Sequence, residues 1–98
     1  MIEDREVEAD VEARFVRVVE GHGWEVRKLE WVGRRGAPDR ICFGPGGRMA
    51  LAELKNGTKG RLSPHQRREH AALSRLGHQV WVICDNADIE AFACEVLQ

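Results

Sequence analysis

The chain has 98 residues, 43% hydrophobic and 32% charged, which suits one globular domain spanning 1–98 and is too short for two separate cores. Fifteen Lys and Arg against sixteen Asp and Glu leave a net charge of −1, so overall charge does not advertise a polyanionic partner. No apolar run reaches membrane length and the N-terminus is acidic, unlike a secretory leader, so the expectation is a cytoplasmic protein with no membrane partner.

Val7, Val11, Phe15, Val18 and Val19 recur at helical spacing and predict a first helix from about Asp4 to Glu20, closed by Gly21-His22-Gly23. Glu12 stands at the margin of that apolar stripe, where an acid could face into a site; acids near a helix N-terminus also follow from the helix dipole alone. Trp24 to Trp31 reads as a charge-rich strand suited to a sheet edge. The tryptophans Trp24, Trp31 and Trp81 read as core aromatics. Val32-Gly33-Arg34-Arg35-Gly36 is a basic loop that can grip phosphates just before Asp39, or simply an exposed loop without a partner. Arg40-Ile41-Cys42-Phe43 should turn back through Gly44-Pro45-Gly46-Gly47 and pair antiparallel with the segment Arg48 to Lys55.

Asn56 to Arg61 is a second glycine-rich basic loop without a Walker pattern, so Lys59 and Arg61 are expected against nucleic acid rather than a nucleotide. Ser63 as N-cap, Pro64 at the first helical position and Gln66 at the third form a capping box. The helix that follows should run to Leu76 with Ala72, Leu73 and Leu76 inward and Arg67, Arg68 and Arg75 on exposed faces. His65 and His70 have no acid or metal-spaced partner in the sequence and read as surface or phosphate-contacting groups. Val80 to Cys84 is continuously apolar and predicts a central, buried strand parallel to its neighbour after a helical crossover. Asn86 or Asp88 should cap a last helix whose stripe of Ile89, Phe92, Ala93, Val96 and Leu97 covers the sheet or a partner subunit. Cys42, Cys84 and Cys94 are odd in number, widely spaced and set in apolar runs, which favours buried free thiols over a disulfide or zinc site.

Charge is distributed unevenly. Arg27 to Arg68 holds eleven basic residues and three acids, Glu30, Asp39 and Glu53, while the acidic excess lies in the first twenty residues and the last helix. A basic central half around a carboxylate pair suits a phosphate backbone, although any single arginine there could be no more than a solvated side chain.

Within that half, alternation puts Met49, Leu51, Glu53 and Lys55 on one strand face and Ala50, Ala52 and Leu54 on the other. The hairpin brings Asp39 beside Glu53. Two carboxylates and a lysine then converge. Neighbouring carboxylates repel unless they share a proton or a cation, and a hard divalent ion accepts carboxylate, water and phosphate oxygens together. The cluster therefore reads as a metal-dependent phosphodiesterase centre, in which Asp39 and Glu53 bind the ion, the backbone carbonyl of Leu54 adds an oxygen and Lys55 positions a water nucleophile. Taken singly, Pro38-Asp39 is a turn dipeptide and Glu53-Leu54-Lys55 a solvated strand pair.

Gly36-Ala37-Pro38-Asp39-Arg40, the glycine-rich hairpin, Ala52-Glu53-Leu54-Lys55 and Gly60-Arg61-Leu62-Ser63-Pro64-His65-Gln66, in this order, resemble the stand-alone VRR-NUC branch of the PD-(D/E)xK nuclease superfamily, and the resemblance covers nearly the whole chain. It implies an α/β, restriction-endonuclease-like α-β-β-β-α-β core with a mixed sheet flanked by helices, Mg²⁺ with Mn²⁺ able to substitute, and a homodimer acting on branched DNA such as a four-way junction. It also implies that Glu12, eleven residues before Gly23, completes the metal site, with Glu8 as fallback, and that Gln66 lines the active site in addition to capping its helix. The DNA-contacting set expected on this basis is Arg34, Arg35, Arg40, Lys59, Arg61, Ser63 and Arg67. The activity expected is a structure-selective endonuclease leaving 5′-phosphate and 3′-hydroxyl ends, as in Holliday-junction resolvases. A less selective duplex, flap or nicked-DNA nuclease and a junction-binding module without turnover are the alternatives.

Overall fold

The computed structural model describes the backbone of residues 4–55 and 61–98, and side chains from residue 11 onward within those ranges. Helix α1 (Asp4–Gly21) leads into strands β1 (Glu25–Lys28), β2 (Arg40–Phe43) and β3 (Met49–Leu54), followed by α2 (Pro64–Arg75), β4 (Val80–Ile83) and α3 (Asn86–Val96). The strands lie in chain order, with β1, β2 and β3 antiparallel and β4 parallel to β3. This is a mixed α/β sheet flanked by helices, with the element order expected from the sequence.

The alternation of β3 decides which helix goes where. Its small residues Ala50 and Ala52 face a core built from Val11, Phe15 and Val19 of α1, Ile89 and Phe92 of α3, and Ile83 of β4. Alanine there leaves room for rings. Phe92 meets Phe15 at 5.3 Å and the edge of Trp81 at 5.5 Å between centroids. Each such buried side chain contributes about 1.5–3 kcal/mol through burial. The other face of β3 carries Glu53, and α2 crosses it.

At the β2–β3 turn, Gly44 lies so close to Trp24 that an added Cβ would stand 2.3 Å from the indole ring. The guanidinium of Arg48 caps the same ring at 5.0 Å and reaches the C-terminal carbonyls of Val96 and Gln98. The turn and the chain end are thereby tied to one core tryptophan.

Several expectations are corrected. β1 spans four residues rather than Trp24 to Trp31; Trp24 is a core residue, and Leu29 makes one last backbone bond, to Asp39 O at 2.8 Å. The apolar Val80–Ile83 segment is parallel to β3 as expected but lies at the sheet edge, not the centre, because no further strand follows it among the described residues. Its partial burial comes from helices on its faces rather than from neighbours on both sides. Leu76 is 75% exposed, since α2 ends at Arg75 and Leu76 swings out as its C-cap. Asp85, not Asn86 or Asp88, caps α3, its carboxylate accepting from Asp88 N at 2.9 Å. Of the three free thiols only Cys42 is buried; Cys94 lies on the exposed side of α3. Burial pushes the Cys42 thiol up to about 11.

Candidate active site

The antiparallel register pairs Arg40 with Ala52, which sets Asp39 opposite Glu53 at the end of the β2–β3 ladder. Pro38, fully buried, fixes the approach to that position. Asp39 is anchored by the backbone, its Oδ2 accepting from Leu54 N at 3.0 Å. In a strand the N–H and C=O of one residue point the same way, so the Leu54 carbonyl also faces the Asp39 side. Lys55 follows directly after β3, close enough for its charge to act on Glu53 and His70.

Glu53 is the most unusual group among the described residues. Its side chain is 1% exposed, yet it belongs to no structural ion pair with lysine or arginine among the described residues. Burial, and then a hydrogen bond and repulsion from the Asp39 carboxylate, push its pKa up to about 8; Lys55 and Arg40 pull the other way. Two polar groups from α2 meet it. Gln66 Nε2 donates to Oε2 at 3.0 Å and the ring Nε2 of His70 lies 3.3 Å from Oε1.

Gln66 caps its helix and also reaches Glu53. Its Oε1 accepts from Ser63 N at 2.8 Å, its own N–H donates to Ser63 Oγ at 3.1 Å, and its remaining amide hydrogens serve Glu53. Ser63 is thus occupied as the N-cap. His70 corrects an expectation: it is not a free surface histidine, being 11% exposed in its side chain and packed onto Glu53. Burial, then Lys55, holds its pKa below the usual histidine value. Gln66 and His70 are four residues apart and share one helical face, which is the sequence signal that could have found it.

Glu12 is elsewhere. Its carboxylate is 56% exposed and holds Arg40 Nη2 at 2.6 Å, while the same guanidinium bonds Asp39 O at 3.2 Å. Glu12 therefore reaches the carboxylate pair only through Arg40, itself 12% exposed. The Glu8 side chain and Lys59 lie outside the described residues. Arg61 is exposed and Arg67 turns back onto Leu62 O. Arg34 is held by Glu69, a buried acid the sequence did not single out, whose other oxygen accepts from Trp31 Nε1 at 2.8 Å. Trp31 is accordingly a clasp between loop and helix rather than a core ring. Arg35 reaches toward His65 at 3.4 Å.

No group of three or more His, Cys, Asp or Glu able to enclose a metal ion occurs among the described residues. The donor set is a pair of carboxylates, one strongly disposed to share its charge with a proton or cation. That fits Mg²⁺, which keeps several waters and is held by one or two carboxylates together with substrate phosphates rather than by an all-protein cage.

No family model matches the chain. It is 37% identical over 84 residues to a protein called "Putative nuclease p44" from Acyrthosiphon pisum secondary endosymbiont phage 1, spanning 86% of this chain and 88% of that one. A solved structure described as a VRR_NUC domain superposes with a TM-score of 0.83 at 31% identity, over 90% of this chain and 95% of the other. The chain belongs to the VRR-NUC nuclease family. Identity at this level over nearly the full length carries more than the shared sheet, and the family resemblance drawn from the sequence motifs is borne out. In this VRR-NUC domain no helix among the described residues is long and apolar enough to cross a membrane.

Proposed function

We propose that this VRR-NUC domain is a Mg²⁺-dependent, structure-selective DNA endonuclease, with Mn²⁺ able to substitute. The observation that carries the reading is the buried Glu53 carboxylate set against Asp39, two acids that need a shared cation when both are ionised. Asp39 and Glu53 would hold the ion, the Leu54 carbonyl would add an oxygen, and Glu12, bonded to Arg40, would complete the shell through water. Bound there, the ion supplies Lewis-acid polarisation of the scissile phosphate and neutralises charge developing on it.

The protein's own groups do the rest. Lys55 orients the water that attacks phosphorus in line and offsets charge in the transition state. Gln66 and His70 fix the Glu53 carboxylate, so that its geometry does not have to be found anew at each turnover. The 3′-oxygen leaves, which gives 5′-phosphate and 3′-hydroxyl ends. Arg35, Arg61, Arg67 and Lys59, with Arg34 set by Glu69, supply the cationic surface for the backbone. We further assign a four-way junction as the preferred substrate and a two-fold homodimer as the active species, because one domain has one site and paired cuts need two related ones.

The test is cleavage of labelled four-way junction, flap and linear duplex with Mg²⁺, beside the Asp39→Asn protein, with mass measured by light scattering. Paired symmetric nicks at the junction from a dimer, lost in Asp39→Asn while DNA binding persists, are the expected result. Cutting of every substrate alike would remove the junction preference, and absence of metal-dependent cutting would remove the enzyme.

A further inference from the structure

The residues on the outer face of α2 that the catalytic reading leaves unused are His65, Arg68, Glu69, Ala72 and Arg75. Their spacing of three, four, seven and ten from His65 puts them on one helical face. The 33–36 loop packs across this face. Gly36, at φ +95°, sits so close to His65 O that an added Cβ would lie 2.4 Å away, and Trp31 and Arg34 are both bonded to Glu69. Loop and helix together wall an open cavity of about 690 Å³ lined by Arg34, Arg35, His65, Arg68, Glu69 and Arg75.

Its charge is unbalanced. Glu69 is the one acid in the lining, and its two oxygens are taken by Trp31 and Arg34. Among the described residues no carboxylate lies within ion-pair distance of Arg35, Arg68 or Arg75. His65 stands between two guanidiniums, Arg35 at 3.4 Å from Nε2 and Arg68 at 2.9 Å from Nδ1. A neutral imidazole accepts at one nitrogen only and a protonated one at neither, so protein groups alone cannot satisfy this arrangement. An anion placed among the three would. Arg34 and Arg35 also line a second cleft of about 570 Å³ that reaches Asp39.

We propose that this pocket binds a backbone phosphate of the nucleic-acid strand whose scissile phosphate lies at Asp39, the strand passing over Arg34 and Arg35 from one cleft to the other. The inference deepens the proposed nuclease reading by giving α2 a second, non-scissile phosphate contact. Guanidinium forks suit a phosphodiester, and neutralising it releases counterions, which leaves a signature in salt.

The experiment is binding of labelled duplex and four-way junction to the full chain in EDTA, over a KCl series, for wild type, Arg68→Ala, Arg75→Ala and Arg17→Ala, each with its melting temperature. Arg17 is exposed on α1, on the opposite side of the sheet, and serves as control. Arg68→Ala and Arg75→Ala should each weaken binding by about fivefold or more and lower the slope of log K against log salt by about 1, with melting unchanged. Slopes and affinities matching Arg17→Ala would overturn the proposal. So would inorganic phosphate bound at the pocket, lost in Arg68→Ala, with DNA affinity untouched. Reduced slopes in a protein that never cuts with Mg²⁺ would support the pocket and sink the nuclease reading instead.

Discussion

Gln66 Nε2 donates to Glu53 Oε2 at 3.0 Å while the same amide closes the capping box of α2, so the start of one helix and the orientation of one buried carboxylate depend on a single side chain. Gln66→Glu separates the two. A carboxylate still accepts from Ser63 N but cannot donate to Glu53, and it adds a like charge beside it. Cleavage should fall at least tenfold, in line with loss of a group that orients a metal-holding carboxylate. Ser63→Ala should do the reverse, costing about 1 kcal/mol of stability through the cap with a smaller effect on rate. Melting curves beside cleavage rates for the two variants check this, and equal effects on both quantities would contradict it.

His70 offers the second support of Glu53. His70→Leu fills similar space but leaves Oε1 without its partner, so the buried acid loses stabilisation of about 1–3 kcal/mol and metal binding weakens by about tenfold or more. His70→Gln, which can still donate, should recover most of both. Calorimetric titration with Mn²⁺ and thermal unfolding read the two effects. A leucine variant indistinguishable from the glutamine one would show that the contact does not matter.

The raised Glu53 pKa sets a pH dependence with a definite sign. Between 4.5 and about 8 the folded protein holds a proton on Glu53 that the unfolded chain has released, so this group's contribution is complete at low pH and is lost as pH rises through about 8. His70 acts oppositely but lower: its folded pKa is depressed from 6.5, so its contribution is lost as pH falls below that value. From pH 6.5 to 8 the Glu53 effect therefore stands clear. Metal-free protein in EDTA should lose stability over that window, Glu53→Gln should not, and divalent-ion affinity should rise with pH as the ion displaces the proton. Thermal unfolding at half-unit intervals for both proteins is the check; parallel curves would refute the shift.

The carboxylate pair was legible in the sequence because its causes are local. A two-residue period, a Gly-Pro-Gly-Gly turn and a fixed register suffice to bring Asp39 to Glu53, and the capping box of Ser63 and Gln66 lies within one helical turn. What was not legible depends on partners far away in sequence. An apolar run such as Val80–Ile83 looks the same whether two strands or a strand and helices bury it, so its edge position could not be read. The Glu69 clasp joins residues 38 and 35 apart, and nothing local marks it. Glu12 illustrates the same limit: its place on the helix margin was visible, but its partner Arg40 lies 28 residues on.

Gly36 is where the loop carrying Arg34 and Arg35 is fastened to α2, and two independent constraints hold it as glycine. Its φ of +95° disfavours any side chain, and a Cβ would meet the backbone carbonyl of His65, which cannot rotate away. Gly33, three residues earlier, has φ +77° but nothing within 4 Å. Gly33→Ala should therefore cost about 1 kcal/mol through backbone strain alone. Gly36→Ala must also displace the loop from the helix, adding about 1–3 kcal/mol of overpacking and breaking the Trp31–Glu69 clasp. The lost clasp should appear as a change in Trp31 fluorescence, followed by weaker nucleic-acid binding as the arginines lose their fixed geometry. Tryptophan emission, melting temperature and binding, measured on the two alanine variants side by side, decide the point: equal losses would mean that the close approach to His65 has no structural role.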